Sequence, residues 1–180
     1  MIFINCNLRH YFNTGKMKTV DLELMSNTII LYCNTYGFSI TPLKLQKLLY
    51  YVQAWHIAKF DKNTLFGELP EAWVNGPVYK SVYHSFREKF YRNDDIVLEP
   101  KTTYEEDLKS NFDLLKLEKE QFNVINSVLK FYASLTEGNL VLKTHSDSPW
   151  IEARKNVGPF DRSTEIITVD SMYNFYGSKL

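Results

Sequence analysis

Residues 41–51 read TPLKLQKLLYY, a run that marks both the start of a helix and an aromatic side of it. The Thr41 hydroxyl can accept a hydrogen bond from a first-turn N–H group, and Pro42 at the first helical position gives up no hydrogen bond. The apolar residues at helical spacing are Leu45, Leu48, Leu49, Val52 and Trp55. The residues on a different side are Lys44, Lys47 and Tyr51. The pattern predicts a helix with one packed face and a second face left to solvent or to a partner.

The segment before this run predicts another helix. Asp21 and Glu23 supply acidic side chains for the first turn of a helix that begins near Thr19. Gly37 is a typical stop signal. Because only a few residues separate Gly37 from the next helix, we expect an antiparallel helical pair.

The helical period is lost between Asp61 and Pro77, where glycines and prolines punctuate an extended or looped segment. Pro77 is placed to open the next helix, which carries an aromatic stripe and ends near Arg92. Residues 96–103 alternate weakly between apolar and polar side chains. They predict a short strand, paired with residues near 72–74.

Three further helices are predicted: one over 116–135 that ends before Gly138, a short one from Ser148-Pro149 to Gly158-Pro159, and a last one from Thr164 or Thr168. The fold class that follows is mainly α. We expect a compact single-domain helical bundle with a small extended or β element near residues 64–75 and 96–103.

Residues 1–18 differ from the rest of the chain because asparagines and Gly15 break any period. We interpret them as a tail or as a docked N-terminal extension, followed by one domain over 19–180. In the docked interpretation, a strand packs through Ile2, Phe3 and Ile4. A translation start at Met17 is another interpretation, since Met17 leads directly into the first predicted helix.

The composition fits a cytoplasmic protein with a core of its own. Of 180 residues, 21 are basic and 21 are acidic, so direct nucleic-acid binding is not expected. No apolar run approaches the length of a membrane span, and Cys6 and Cys33 form no disulfide framework. Aromatic residues make up 15% of the chain, which supplies many anchors for protein contacts.

His145 and Asp147 are candidates for chemistry, because an imidazole beside a carboxylate can act as a base or bind a metal. One hypothesis is a small hydrolase or nucleotide-handling enzyme that uses both residues together with Tyr50. The alternative that we favour is structural. In it, His145 braces a loop and Asp147 or Ser148 caps the helix that follows. No phosphate-binding loop and no converging set of ligands indicates a cofactor or metal, so none is predicted.

The run WVNGPVY at 73–79 predicts a rigid bend. Gly76 can adopt a positive φ, Pro77 fixes the following φ, and Asn75 can bond to local backbone. Two interpretations stay open. The bend is pure scaffold, or it presents Trp73 and Tyr79 at one edge of a groove that binds a partner.

Gln46, Tyr50 and Gln53 form a boundary strip of the principal helix, between its charged side and the centre of its apolar side. Their amides and phenol can satisfy buried backbone groups of the Trp73 loop, which is the outcome we favour. The other outcome is recognition of a partner's backbone. We expect Trp150 to belong to the core, where its indole N–H needs an acceptor nearby.

Three motifs together resemble a known family: the run at 41–51, the runs LFGE at 65–68 and EAWVNGPVY at 71–79, and HSDSPW at 145–150. From about Leu22 to Tyr176 the chain resembles the Panacea antitoxin domain, also called the SocA-like or phage-associated GepA-type domain. The matching positions are Pro42, Leu45, Gln46, Lys47, Leu48, Tyr50, Phe66, Trp73, Gly76, Pro77, Val78, Tyr83, His145, Pro149 and Trp150.

The resemblance implies a mainly helical antitoxin that is not an enzyme and that neutralises a toxin encoded beside it by direct protein binding. It also suggests an adaptor role, in which the toxin is delivered to the ClpXP protease. A phage or prophage protein that binds and inhibits a host protein is the nearest alternative. Asn75 stands where the family frequently has a histidine, which argues against chemistry that needs an imidazole at the bend.

Overall fold

The computed structural model describes residues 17–92 and 94–180 and shows a mainly helical protein with one small sheet. The elements are α1 (Leu22–Thr35), α2 (Pro42–Lys59), β1 (Glu71–Trp73), β2 (Gly76–Val78), α3 (Lys80–Ser85), α4 (Arg87–Arg92), α5 (Tyr104–Leu115), α6 (Lys119–Tyr132), α7 (Glu137–Ser146), α8 (Ser148–Ala153) and α9 (Val169–Gly177). The predicted fold class is confirmed.

Helix α2 is the centre of the fold. It begins as predicted, with the Thr41 hydroxyl accepting a hydrogen bond from the Lys44 N–H at 3.1 Å. The prediction that one face stays free is wrong, because Lys47 and Tyr51 are completely buried. Helices α1, α6, α7 and α9 and strand β2 all contact α2, so they cover it on every side.

Polar side chains on α2 bind the backbone of the segments that surround it. The Gln53 Oε1 atom accepts hydrogen bonds from the N–H groups of Leu65 and Phe66, at 2.8 and 2.9 Å. The Lys44 ammonium donates to the Ala133 carbonyl at 2.8 Å. Gln53 therefore satisfies buried backbone as expected, but of residues 65–66 and not of the Trp73 loop. The same expectation is wrong for Tyr50, whose hydroxyl lies against that of Tyr176.

Helices α1 and α2 contact each other, as the short link between them predicts. Asp21 is the N-cap of α1, and its carboxylate accepts a hydrogen bond from the Leu24 N–H at 2.7 Å. After the helix ends, Gly37 has a φ of +70°, a left-handed conformation that favours glycine. The turn therefore closes where the sequence predicts it.

Strands β1 and β2 pair antiparallel with each other, so the predicted pairing of 96–103 with 72–74 is wrong. Residues 96–103 form no strand. Instead, the Asn34 side chain on α1 binds this segment twice, donating to the Ile96 carbonyl at 3.1 Å and accepting from the Leu98 N–H at 3.0 Å. A side-chain amide takes the place of a neighbouring strand.

Several helix predictions need correction. Pro77 lies in β2 rather than at the start of a helix, and residues 80–92 form two short helices with Phe86 between them. Helices α5 and α7 were not predicted, and Gly138 lies inside the first turn of α7 instead of in a loop. Glycine is unfavourable in a helix by only about 1 kcal/mol relative to alanine, and the Thr136 hydroxyl, which accepts from the Asn139 N–H, stabilises the helix start in spite of it.

The prediction at the C-terminal end of the chain is confirmed, whereas most of the N-terminal segment is not described. Helix α9 starts after Thr168, whose hydroxyl caps it, as one of the two predicted starts requires. The tail or docked extension is predicted over residues 1–18, of which 1–16 lie outside the described residues. Met17 is described, and its N–H donates to the Asn63 side chain at 3.0 Å. Within the described ranges, no helix is long and apolar enough to cross a membrane.

His56 is a buried histidine on α2 that is held in one neutral form. Its Nδ1 atom lies 2.9 Å from the Asn63 carbonyl, and its Nε2 atom lies 3.0 Å from the Gln121 Nε2. The Gln121 Oε1 already accepts from the Glu118 N–H, so its amide NH2 faces the imidazole. A proton on His56 Nε2 would face another donor, and burial lowers the pKa of His56 to about 4.

We predict that His56 makes the protein less stable in mild acid. Between the ordinary histidine pKa of 6.5 and the folded pKa of about 4, the unfolded chain binds the proton and the folded chain does not. The free energy of unfolding should therefore fall by roughly 3 kcal/mol as the pH falls through this window. Urea unfolding at several pH values measures this slope.

The variant His56→Gln provides the control, because glutamine does not titrate. Its slope in this pH window should be shallower than that of the wild type, while the two slopes should agree at about pH 7 to 8. Equal slopes in the acid window would show that His56 does not carry the effect.

Candidate functional site

The predicted bend at 73–79 is a tight β-hairpin. Trp73 pairs with Gly76 across a turn made by Val74 and Asn75. Gly76 has a φ of +100°, and Asn75 is exposed at the tip. A positive φ at the residue after a two-residue turn is typical of glycine in hairpins with a bulge.

Glycine suits position 76 for a second reason, because the hairpin backbone lies close to side chains of α2 and α7 there. A Cβ atom at this position would lie 2.6 Å from the Lys47 Nζ and 2.9 Å from the Thr144 Oγ1. Both distances are far below van der Waals contact. A side chain at residue 76 would therefore force the buried Lys47 or Thr144 side chain to move.

From α2, two side chains hold the outgoing strand of the hairpin. The buried Lys47 ammonium donates to the Pro77 carbonyl at 3.1 Å. The Gln46 amide accepts from the Tyr79 N–H at 2.7 Å and donates to the Tyr79 carbonyl at 3.2 Å. Burial lowers the pKa of Lys47 to about 7, and the Glu137 carboxylate opposes that shift.

From the other side, α8 and the residue after it hold the incoming strand. The Trp150 indole N–H donates to the Trp73 carbonyl at 3.0 Å, and the Arg154 guanidinium donates to the Ala72 carbonyl at 2.8 Å. Arg154 also donates to the carbonyls of Gly158 and Asp161, each at 2.9 Å. Sequence analysis missed Arg154, because nothing in the local sequence marks an arginine whose partners are all carbonyls.

His145 lies in the last turn of α7, not in a loop as predicted. Its ring stacks on the Trp150 ring with centroids 4.1 Å apart and bonds to the Val74 backbone. The buried Nε2 atom has no hydrogen-bond partner among the described residues. Burial lowers the pKa of His145, and the Lys47 ammonium acts in the same direction.

Asp147 belongs to a different network from His145. Its Oδ2 atom accepts hydrogen bonds from the hydroxyls of Tyr176 and Tyr51, at 2.7 and 3.1 Å. The Tyr50 hydroxyl lies 3.2 Å from that of Tyr176. Asp147 occupies the N-cap position of α8, yet its side chain makes no capping hydrogen bond, so the predicted cap is wrong.

The structure therefore separates the two residues on which an enzymatic interpretation depends. The Asp147 carboxylate faces tyrosines of α2 and α9, while the His145 imidazole faces the hairpin and Trp150. Among residues 17–92 and 94–180, no group of three or more His, Cys, Asp or Glu side chains could hold a metal ion.

The ten predicted site residues divide by burial. The buried ones are Gln46, Tyr50, Gly76, Pro77, Tyr79 and Asp147. Tyr79 is completely enclosed, so the hypothesis that the bend presents Tyr79 at the edge of a groove is wrong. The exposed or partly exposed ones are Trp73, Asn75, His145 and Trp150.

We use the name hairpin surface for the outward-facing part of this site, made of Trp73, Val74, Asn75, Tyr83, His145 and Trp150. The Trp73 and Tyr83 rings meet edge to face with centroids 4.9 Å apart. The Trp73 indole N–H is bonded to the Glu71 carboxylate at 2.7 Å. The surface thus carries partly exposed rings that are held in place by hydrogen bonds and ring contacts with their neighbours. This arrangement is suited to contact with another macromolecule.

Comparison with known proteins gives one result. A family model described as "Antitoxin SocA-like, Panacea domain" matches residues 45–151. Every residue of the hairpin surface falls inside this range. No curated protein and no solved structure matches the chain.

We predict that Gly76→Ala strongly destabilises the protein. The new methyl group would strain a left-handed backbone and collide with the bonded Lys47 ammonium, so the free energy of unfolding should fall by roughly 2–4 kcal/mol. Chemical denaturation measures this change.

Gly67→Ala is the matched control, because Gly67 is exposed and a Cβ there meets nothing within 4 Å. It should change the free energy of unfolding by no more than about 0.5 kcal/mol. Similar losses for the two variants would contradict the role assigned to Gly76.

Proposed function

The chain belongs to the family of SocA-like antitoxins with a Panacea domain, and we propose that it neutralises a cognate toxin by binding it through the hairpin surface. The matched range 45–151 is more than half of the chain and contains all six residues of this surface. The observation that carries the proposal is the bracing of the hairpin by side chains from α2, α7 and α8.

Rigidity supports a binding role in energetic terms. Binding normally costs about 0.5–1.5 kcal/mol for each flexible side chain that becomes ordered at an interface. Trp73 and Trp150 are already held by hydrogen bonds to Glu71 and to the hairpin backbone. Their side chains are therefore ordered before a toxin binds, and binding does not have to order them. Tryptophan is also among the residue types enriched at energetically dominant contacts.

The chemistry of the surface also supports a binding role over a catalytic one. The His145 imidazole is stacked on Trp150, and burial lowers its pKa, which disfavours the charged form. Asp147 faces inward to tyrosines. A neutral aromatic surface with the polar Asn75 at its tip is suited to a partner that offers apolar side chains and hydrogen-bonding backbone groups.

Two routes to neutralisation belong to this proposal, and purified components distinguish them. Direct binding predicts that the chain inhibits its toxin in a mixture of the two proteins alone. The adaptor route predicts that inhibition appears only when the ClpXP protease and ATP are added, together with loss of the toxin band.

We predict that Asn75→Arg abolishes protection in cells that also express the product of the adjacent gene. A long charged side chain at the tip should obstruct the partner and weaken binding by at least about tenfold, or roughly 1.4 kcal/mol. Growth rescue and co-purification measure the effect. Thermal melting should match the wild type, because Asn75 is exposed.

Asn123→Arg is the matched control, since Asn123 is exposed on α6, away from the hairpin. It should protect cells as well as the wild type does. Loss of protection by both variants, or by neither, would remove the hairpin surface from the proposal. An adjacent gene product that is harmless alone would reject the toxin partner and leave inhibition of a host protein as the function to test.

A further inference from the structure

The small sheet has a third member that is too short to count as a strand. Glu71 of β1 forms an antiparallel bridge with Ile166. The hydrogen bonds lie on either side of this pair, from the Ala72 N–H to the Glu165 carbonyl at 2.7 Å and from the Ile167 N–H to the Pro70 carbonyl at 2.9 Å. In this pattern the N–H and C=O groups of Ile166 point away from β1.

Ile166 therefore forms the outer edge of the sheet. Across the described ranges, its backbone N–H and C=O groups bind no other residue. Its exposure of 43% shows that the residue is open to solvent. Unpaired backbone groups at a sheet edge are a template for an added strand.

A cleft lies beside this edge. Its volume is about 390 Å³, and it separates Glu165, Ile166 and Thr168 from α8 and the segment that follows it. On the α8 side, the apolar residues that line it are Pro149, Ala153 and Val157. Apart from Ile166, the rest of the lining is polar or charged. A sheet edge that faces a helix across a cleft has the layout in which domains bind extended peptides by strand addition.

We propose that this edge binds an extended segment of a partner protein as an added β-strand. The backbone of the segment would exchange hydrogen bonds with the N–H and C=O of Ile166. Alternate side chains of the segment would point into the cleft, against Ala153 and Val157, because successive side chains of a strand lie on opposite faces.

Charge on the cleft lining indicates which segment fits. Glu152 and Glu165 contribute two carboxylates to the lining, and Lys155 contributes one ammonium. The excess negative charge favours a segment that carries a basic residue beside a small or β-branched apolar one. The proposed ligand of the cleft is therefore a basic segment with a high propensity to form a β-strand.

This inference is independent of the proposed toxin contact. The cleft is lined by residues 149–171, most of which lie beyond the matched range 45–151. Binding at the hairpin surface and binding at the Ile166 edge use different residues. Failure of one proposal leaves the other standing.

The probe for the test is a blocked heptapeptide of alternating valine and lysine, added to the full-length chain labelled with ¹⁵N. We expect the amide signals of Ile166, Ala153 and Val157 to shift in a saturable way. Before any peptide is added, the Ile166 amide should exchange with solvent at least about tenfold faster than the bonded amides of Ala72 and Ile167. Equal protection of the three amides would show that the edge is already covered.

Two peptides with N-methyl groups on alternate residues provide the sharpest control. An added strand turns successive N–H groups to opposite edges, so one of the two registers should bind at least tenfold more weakly than the unmethylated peptide. A peptide of alternating valine and glutamate should also bind more weakly. Equal binding by all of these peptides, or no shift at Ile166, would overturn the proposal.

Variants of the protein give a second route to the same answer. Ile166→Pro removes the outward N–H and leaves the Ala72 and Ile167 hydrogen bonds possible, and it should weaken peptide binding at least tenfold. Ile166→Thr keeps the N–H and should bind as the wild type does. If the proline variant does not fold, the methylated peptides on the wild-type chain decide the question.

Discussion

The rest of the structure depends on the complete burial of α2. A helix enclosed on every side cannot leave its polar side chains in water, and each buried polar group without a partner costs free energy. Gln46, Gln53 and Lys47 meet this constraint by binding backbone groups of distant segments. The same hydrogen bonds that make the burial of α2 possible therefore fix where those segments lie. The burial of α2 and the position of the hairpin therefore depend on the same hydrogen bonds.

Local signals in the sequence were sufficient wherever a structural feature is decided by neighbouring residues. The Thr41 and Pro42 start of α2 and the Gly37 turn depend on the hydrogen bonds and φ angles of a few adjacent residues, and the structure has both as predicted. The free face predicted for α2 failed for a different reason. Helical periodicity assumes that lysine faces water, whereas Lys47 lies under Gly76 with a pKa lowered to about 7 by burial. Sequence alone does not show that a carbonyl 30 residues away will accept a hydrogen bond from Lys47.

The candidate site shows the same division between local and long-range information. The sequence of residues 73–79 is sufficient to predict the bend and its glycine. It does not show which residues of the predicted site are buried supports and which are exposed rings. Asp147 lies close to His145 in sequence, and yet its partners are Tyr51 and Tyr176, which are 96 and 29 residues away. A carboxylate and an imidazole that are neighbours in sequence share chemistry only if the backbone turns both toward one point. Here the chain passes from α7 to α8 between them, which sends the two side chains into separate networks.

Strand β1 connects the two surfaces that the structure offers. Its residue Ala72 donates its N–H to Glu165 and accepts a hydrogen bond from Arg154 at its carbonyl, so both backbone groups are used on the side away from β2. Its neighbour Trp73 is fixed by Trp150 and projects from the hairpin surface. Because the backbone bonds of this strand are made to several different segments, β1 has little freedom to shift. A partner at the Ile166 edge would therefore bind to a sheet whose other members are already hydrogen-bonded to the rest of the protein.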